Sequence, residues 1–496
     1  MQSAARFRRP LALLALLASG LAGCAVNPVT GDREVSLMSP AQEAKLGAEA
    51  AAQVAKEIGL VGDPALSAYV QQLGQRLATH SRRPEVNFSF AVADMPEPNA
   101  FALPGGYIYV SRGLLALANS EAELANVIGH EIGHVDARHA AQRQTRATGV
   151  GIATVLGTIL AGVVGGGDAA RAASELGQAA GAGLIASYGR DQERQSDEIG
   201  QSISALSGWD PAAMSTFLAA LERDSTRRAG GQKRRPGYLD SHPALDERVQ
   251  VTAQRAAGLR VTPAVPVAAT RADFLKRIDG LLVGDDPAKG ACSANSFAHI
   301  DLDFFLRFPG GWQCQNQAAA VIAAPQSRDA LIRLELQGKG TDARAAAQQF
   351  AQKNQLSFEA GEDARIGGFP AYRALARAQT QQGQLGLDMT WIVHPTGIFR
   401  ITGMAPVQRF NAVLKDMRSA SGTFRSLTAE EKKNATETRL RVVKAKAGET
   451  LATLSKRTAN AWSLEETSVV NDLNSAATLA TGQLVKIAKA EPYRRR

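Results

Sequence analysis

Cysteine is nearly missing from this chain, with three in 496 residues. None belongs to a Cys-x-x-Cys pair, which removes any case for a sulfur-rich zinc site. Aromatic residues are sparse at 5%, and no basic run is interleaved with them. The formal charge of +9 therefore does not point to nucleic acid; anionic lipid or a wall polymer suits it better. The apolar run Leu11 to Ala18 is too short to cross a bilayer comfortably. Histidine is also rare, at seven residues, so any His cluster carries weight.

What the chain does have is length and apolar content. At 45% hydrophobic and 21% charged, 496 residues can bury several cores. Arg6, Arg8 and Arg9 precede the apolar run, and Leu21-Ala22-Gly23-Cys24 follows it. This order predicts a lipoprotein signal over 1–23, cleaved before Cys24, with lipid on Cys24 as a membrane anchor. Ala25 after the lipid site, by the sorting rule for such lipoproteins, directs the anchor to the periplasmic leaflet of the outer membrane. Residues 24–40 read as a tether. Cys292 and Cys314 remain, in an oxidising compartment that allows a disulfide; two free thiols are the alternative.

His130-Glu131-Ile132-Gly133-His134 is the densest chemistry in the chain. Imidazoles four apart lie on one helix face and can grip one metal ion, with the intervening Glu beside a water on that ion. Chance alone gives His-Glu-x-x-His in roughly one chain of this composition in two hundred. Ser120 and Glu123 form a capping-box pattern, and Leu124, Val127, Ile128, Ile132 and Val135 make one apolar stripe. The spacing predicts a helix from Glu121 to about Gln144. A metzincin would need His at the position of Ala140. His139 misses that register by one and reads as an exposed helical residue. The plain alternative is an amphipathic helix with two satisfied histidines.

A third ligand must come from another element, and Glu193 and Asp197 share a face of a second predicted helix. Glu193 completes a one-zinc site, and Asp197 orients an imidazole. A solvated charged face is the bland reading of the same stretch.

These residues, with Asn99-Ala100-Phe101 through Gly105-Gly106 and the block Tyr188 to Gly200, resemble the gluzincin family of HtpX and the CAAX prenyl endoproteases, in its periplasmic lipoprotein members. The resemblance covers roughly 35–260. It implies zinc ligands His130, His134 and Glu193, with Glu131 as catalytic base; Ser196 stands where the family usually has Ala. It also implies an edge strand near Asn99, Gly105, Gly106 and Tyr107 that pairs with substrate; an ordinary core hairpin fits those residues as well. His242, in a His-Pro segment, is implied as a regulatory residue that approaches the metal, and Arg248 as a partner for a site carboxylate. A surface histidine in a turn is the default reading of His242.

The remainder reads as separate modules. The expected architecture is multidomain: a mainly α-helical zincin protease domain with a small β-hairpin or sheet over 41–260, a linker over 261–295, an α+β domain over 296–428, and a small βααβ domain over 438–488. The last resembles LysM, through Val442 to Leu451 and Thr481 to Ile487, which implies peptidoglycan as a partner. The uncharged run 148–167 suggests a hydrophobic hairpin over the site or dipping into one leaflet. The expected function is a zinc endopeptidase of the cell envelope acting on misfolded or misassembled proteins. A non-proteolytic assembly factor and a peptidoglycan hydrolase are its rivals.

Overall fold

The computed structural model describes residues 24–26, 33–35, 38–146, 188–229, 238–243, 245–316, 320–380 and 383–495. The signal segment 1–23, most of the tether, the run 148–167 and the loop 230–236 lie outside the described residues. Cys24 falls in strand β1 (Cys24–Val26), paired with β2 (Arg33–Val35). No described helix is long and apolar enough to cross a membrane. The chain divides into two compact units, Met1–Val283 with Arg439–Lys489, and Gly284–Thr438 with Ala490–Arg496.

In the first unit, helix α1 (Pro40–Glu57) opens on Ser39, whose hydroxyl and Gln42 satisfy each other's backbone N–H in a capping box, with Pro40 at the first position. Helix α2 (Pro64–Ala78) opens on Asp63 in the same spirit. Three short strands follow, β3 (Ser89–Ala93), β4 (Ala100–Leu103) and β5 (Tyr107–Ser111). Strand β5 is central, parallel to β3 and antiparallel to β4. Tyr107–Ser111 is therefore no edge strand; the edges of this sheet are β3 and β4. The turn between β4 and β5 needs glycine twice. Gly105 and Gly106 have φ of 76° and 92°, and a Cβ on Gly105 would stand 2.9 Å from Ala44 Cα.

Helix α3 (Arg112–Leu117) leads into α4 (Glu121–Asp136). Ser120 caps α4 as expected, but Glu123 turns to the Asn119 N–H at 2.6 Å instead of closing the box. Leu124, Val127, Ile128, Ile132 and Val135 all sit in the core. The helix stops at Asp136, eight residues short of the expected end. Arg138 takes the left-handed conformation at φ 55°, and α5 (His139–Arg146) starts on a new axis. A left-handed non-glycine residue costs about 1 kcal/mol. Here Glu43 Oε2 at 3.2 Å and the Met38 carbonyl at 2.7 Å hold the Arg138 side chain.

Beyond them come α6 (Arg190–Leu206), α7 (Ala213–Ala229), α8 (Tyr238–Ser241) and α9 (Leu245–Ala256). The stretch read as a linker carries a further helix, α10 (Arg271–Ile278), whose Phe274, Leu275 and Ile278 are buried in the same core. The tail forms β16 (Thr436–Lys444), α14 (Leu451–Thr458), α15 (Leu464–Asn471) and β17 (Leu484–Pro492), in the order βααβ. It is not a free appendage, because Leu440, Val470 and Ala488 join the core around α4. Lys486 is fully buried. Its ammonium donates to the carbonyls of Ala116, Leu117 and Ala118 at 2.8, 3.1 and 2.7 Å. It thereby satisfies the end of α3, where carbonyls point outward unpaired and favour a cation.

The second unit is a seven-stranded antiparallel sheet in the order β12-β13-β14-β15-β11-β10-β9, with β9 Gln313–Asn316, β10 Val321–Ala324, β11 Leu331–Gly338, β12 Phe358–Ile366, β13 Phe369–Thr380, β14 Gly383–His394 and β15 Gly397–Pro406. Helices α11 (Ala343–Lys353) and α12 (Val407–Gly422) pack on it. A smaller sheet has β6 (Ala291–Ser293), β7 (Ser296–His299) and β8 (Phe304–Arg307); α13 (Ala429–Lys433) follows α12. Cys292 on β6 and Cys314 on β9 form a disulfide. His299 and His394 lie far apart in sequence and join no metal-ligating group among the described residues.

Replacing Lys486 by Met removes the Lys486 donor from the Ala116 and Ala118 carbonyls, leaves Leu117 with Asn119 Nδ2 alone, and takes one of the cations near Glu123 away. The expected cost is about 2–4 kcal/mol, read as a lower urea midpoint for the unit that holds α4. Unchanged stability would mean that the tail contributes nothing to that core.

Candidate metal centre

Helices α4 and α6 approach each other through glycine. A Cβ on Gly200 would lie 2.6 Å from the His130 backbone nitrogen and 2.8 Å from its Cα. A Cβ on Gly133 would stand 3.0 Å from Ser196 Cα, and one on Gly129 2.8 Å from the Gly200 carbonyl oxygen. Three missing side chains thus let the helix backbones touch, and Glu193, two turns before Gly200, reaches the imidazoles of α4.

His130, His134, Glu193 and His242 come together there, each offering a ligand atom, all of those atoms within 4.8 Å of one another. His134 Nε2 is 2.9 Å from His130 Nε2 and 3.4 Å from Glu193 Oε1. His242 Nδ1 is 3.3 Å from His130 Nε2 and 3.0 Å from Glu193 Oε1. All four residues are buried. His242, with a surface turn as its default reading, is fully enclosed. It sits just past α8, which is anchored by Tyr238 N–H to the Pro98 carbonyl at 2.9 Å and by Tyr188 N–H to the Ser241 carbonyl at 3.0 Å.

A second layer of side chains orients this group. Asp197 Oδ1 lies 2.9 Å from His130 Nδ1. Arg248 donates Nε and Nη2 to the two Asp197 oxygens, both at 2.7 Å, and its Nη1 lies 2.5 Å from Glu193 Oε2. One buried guanidinium therefore bridges two buried carboxylates, the planar fork that arginine suits. Tyr188 stacks on His134 at 3.6 Å between ring centres, and Tyr238 on His242 at 4.1 Å.

Burial and charge pull these groups apart. Burial would raise the Glu193 carboxyl, but the His242 and Arg248 charges outweigh it and hold the group well below its ordinary range. Asp197 is likewise lowered, against burial, by Arg248 and His130. Glu131 goes the other way: burial raises it, and the nearby His242 and His130 charges do not cancel that. Both Glu131 oxygens are buried and accept no hydrogen bond among the described residues. His242 Nε2 stands 3.6 Å away.

This donor set fits a zinc ion. Three imidazole nitrogens and one carboxylate converge, with no thiolate, and a further carboxylate, Glu131, lies beside them. Two buried carboxylates against one guanidinium leave one net negative charge, which favours a cation among these side chains. Asn99, Gly105, Gly106 and Tyr107 are not part of the group. Asn99 ties β4 to β5 through its N–H to Ser111 Oγ at 2.8 Å, and Tyr107 packs toward Gly47 on α1. His139, read as exposed, is fully buried against His134. The left-handed Arg138 brings it there. Residue spacing gives no sign of that turn, because five positions along an unbroken helix point away. Tyr188 and Tyr238 also carry no sequence signal beyond lying near the ligands.

Gly200→Ala forces α4 and α6 apart by a few tenths of an ångström or more at the point that aligns Glu193. The expected result is at least tenfold weaker zinc retention in chelator competition, with helical content unchanged by circular dichroism; retention equal to wild type would show that the glycine contact is not what sets the site.

Comparison with known proteins follows the same boundaries. Residues 64–256 match the family model Peptidase family M48. Over 246 residues the chain is 33% identical to the beta-barrel assembly-enhancing protease of Escherichia coli K12, covering 47% of each. It is 26% identical over 231 residues to the mitochondrial metalloendopeptidase OMA1 of Schizosaccharomyces pombe, covering 45% of this chain and 64% of that one. The chain spans about half the length of the first of these. Among solved structures, a cyanobacterial PsbP from Synechocystis aligns at 12% identity and a TM-score of 0.23, covering 28% of this chain and 98% of that one. The region that holds all four converging side chains is thus the region that matches Peptidase family M48.

Proposed function

We propose that this chain is a zinc-dependent endopeptidase of the cell envelope. The observation that carries the reading is the buried convergence of His130, His134, Glu193 and His242 beside a Glu131 carboxylate that accepts no hydrogen bond among the described residues. In this reading His130, His134 and Glu193 would hold the zinc ion, and His242, in contact with His130 and Glu193, would hold the site closed at rest. Bound zinc supplies Lewis acidity, polarising a peptide carbonyl and lowering the pKa of a water. Glu131 takes that water's proton and returns it to the leaving amine; its burial, which favours the protonated carboxyl, makes it an apt carrier. Asp197 and Arg248 hold the imidazole and carboxylate in place. The turn carrying His242 withdraws before substrate enters, and an extended peptide adds to the free edge of β4.

The biological setting belongs to the same proposal. The signal and lipobox around Cys24 support a lipid-anchored form facing the periplasm. The name of one relative, a beta-barrel assembly-enhancing protease, supports a role linked to β-barrel assembly, and misfolded or misassembled envelope proteins are the proposed substrates. The βααβ tail supports a LysM-like module held near wall glycan.

The test uses casein cleavage by the protein lacking residues 1–24. Glu131→Gln is expected to lower the rate by about 10²–10⁴ while zinc content stays at one per chain. Equal cleavage would overturn the base assignment. His242→Ala is expected to raise basal cleavage several-fold; a fall would mean that His242 supports the site instead of blocking it.

A further inference from the structure

His139 is fully buried and lies between the site and α6. Its Nδ1 is 2.8 Å from His134 Nδ1, and its Nε2 is 2.9 Å from Gln195 Oε1. Ser196 Oγ approaches the same Nδ1 at 3.4 Å. The ring of His134 stands between His139 on one side and the ligand cluster on the other, with its Nε2 2.9 Å from His130 Nε2.

We infer that His139 is the positioning residue for His134, a neutral imidazole that accepts the His134 Nδ1–H and so commits the His134 Nε2 lone pair to the metal. The reasoning is a proton count along the chain of contacts. An imidazole that ligates through Nε2 must carry its proton on Nδ1. That proton faces His139 Nδ1, which must then present a lone pair. A neutral His139 has its own proton on Nε2, and the Gln195 carbonyl oxygen is there to accept it. The reverse order fails: a proton on His139 Nδ1 would force the His134 proton to Nε2, where the ligand belongs.

The two imidazoles of the motif are thereby held by different chemistry. His130 faces a carboxylate, Asp197 Oδ1, at 2.9 Å; His134 faces an uncharged ring. Asp197 belongs to α6 itself, while His139, at the start of α5, is held through Gln195 of the same α6 segment. The uncharged partner adds no anion to a pocket that already buries two carboxylates, and it leaves His134 the weaker donor of the pair. Reaching His139 requires the left-handed Arg138, whose side chain Glu43 and Met38 secure. That places a strained residue beside the site with a stated purpose: it turns the fifth residue after His134 back toward it.

This inference rests on the zinc reading above, and the experiment separates the two. Zinc affinity is measured by chelator competition on wild type and on His139→Phe and His139→Asn, with the unfolding midpoint of each metal-free protein alongside. Phe keeps the ring's bulk and removes the acceptor; Asn replaces Nδ1 by an amide oxygen. Expected are zinc binding 10–100-fold weaker in His139→Phe, recovery to within a few-fold of wild type in His139→Asn, and His134 protonated at Nδ1 in nitrogen-15 spectra of the zinc-loaded wild type. Wild-type affinity in His139→Phe overturns the inference, as does an Asn variant as weak as Phe. If wild type itself binds no zinc, the proposed function fails first.

Discussion

Everything in the site depends on two helix backbones touching. Gly200 against the His130 backbone, with Gly129 and Gly133 alongside, sets a separation that no side chain would permit. From that contact Glu193 gains its reach, Asp197 meets His130, Gln195 meets the His139 ring behind His134, and Arg248 on α9 finds both carboxylates. A helix pair spaced by ordinary side chains sits 8–10 Å apart, axis to axis. At the wide end of that range a carboxylate on one helix would fall short of a metal on the other.

The second constraint is charge. Glu131, Glu193 and Asp197 are all buried around three buried imidazoles, with Arg248 as the guanidinium. Isolated, each carboxylate would pay several kcal/mol of desolvation. The shifts of Glu193 and Glu131 are opposite: the first is lowered, which favours the ionised carboxylate, and the second is raised, which favours the protonated form. Two carboxylates in one pocket with their proton affinities driven apart by environment is the pattern expected of a ligand beside a base.

Much of this was legible in the sequence because its signals are local or periodic. His130, Glu131 and His134 lie on one predicted helix, and the apolar stripe from Leu124 to Val135 lies in the core, though this helix is buried on every side. Glu193 and Asp197 followed from their four-residue spacing. What was not legible needed long-range contact or backbone strain. The left-handed Arg138 is invisible to periodicity, so α4 ran too long and His139 looked exposed. The central place of Tyr107–Ser111 depends on β3 pairing in parallel across an intervening strand. Phe274 and Lys486 become core residues only when the tail packs on the unit that holds the site.

The structure therefore ties a metal-binding chemistry to a shape. Zinc K-edge absorption fine structure on the zinc-loaded full chain tests that tie most directly. The account predicts a first shell of nitrogen and oxygen at about 2.0–2.1 Å, with the outer-shell scattering of three imidazoles in the resting protein and no sulfur. A sulfur shell, or the scattering of fewer than two imidazoles, would contradict it.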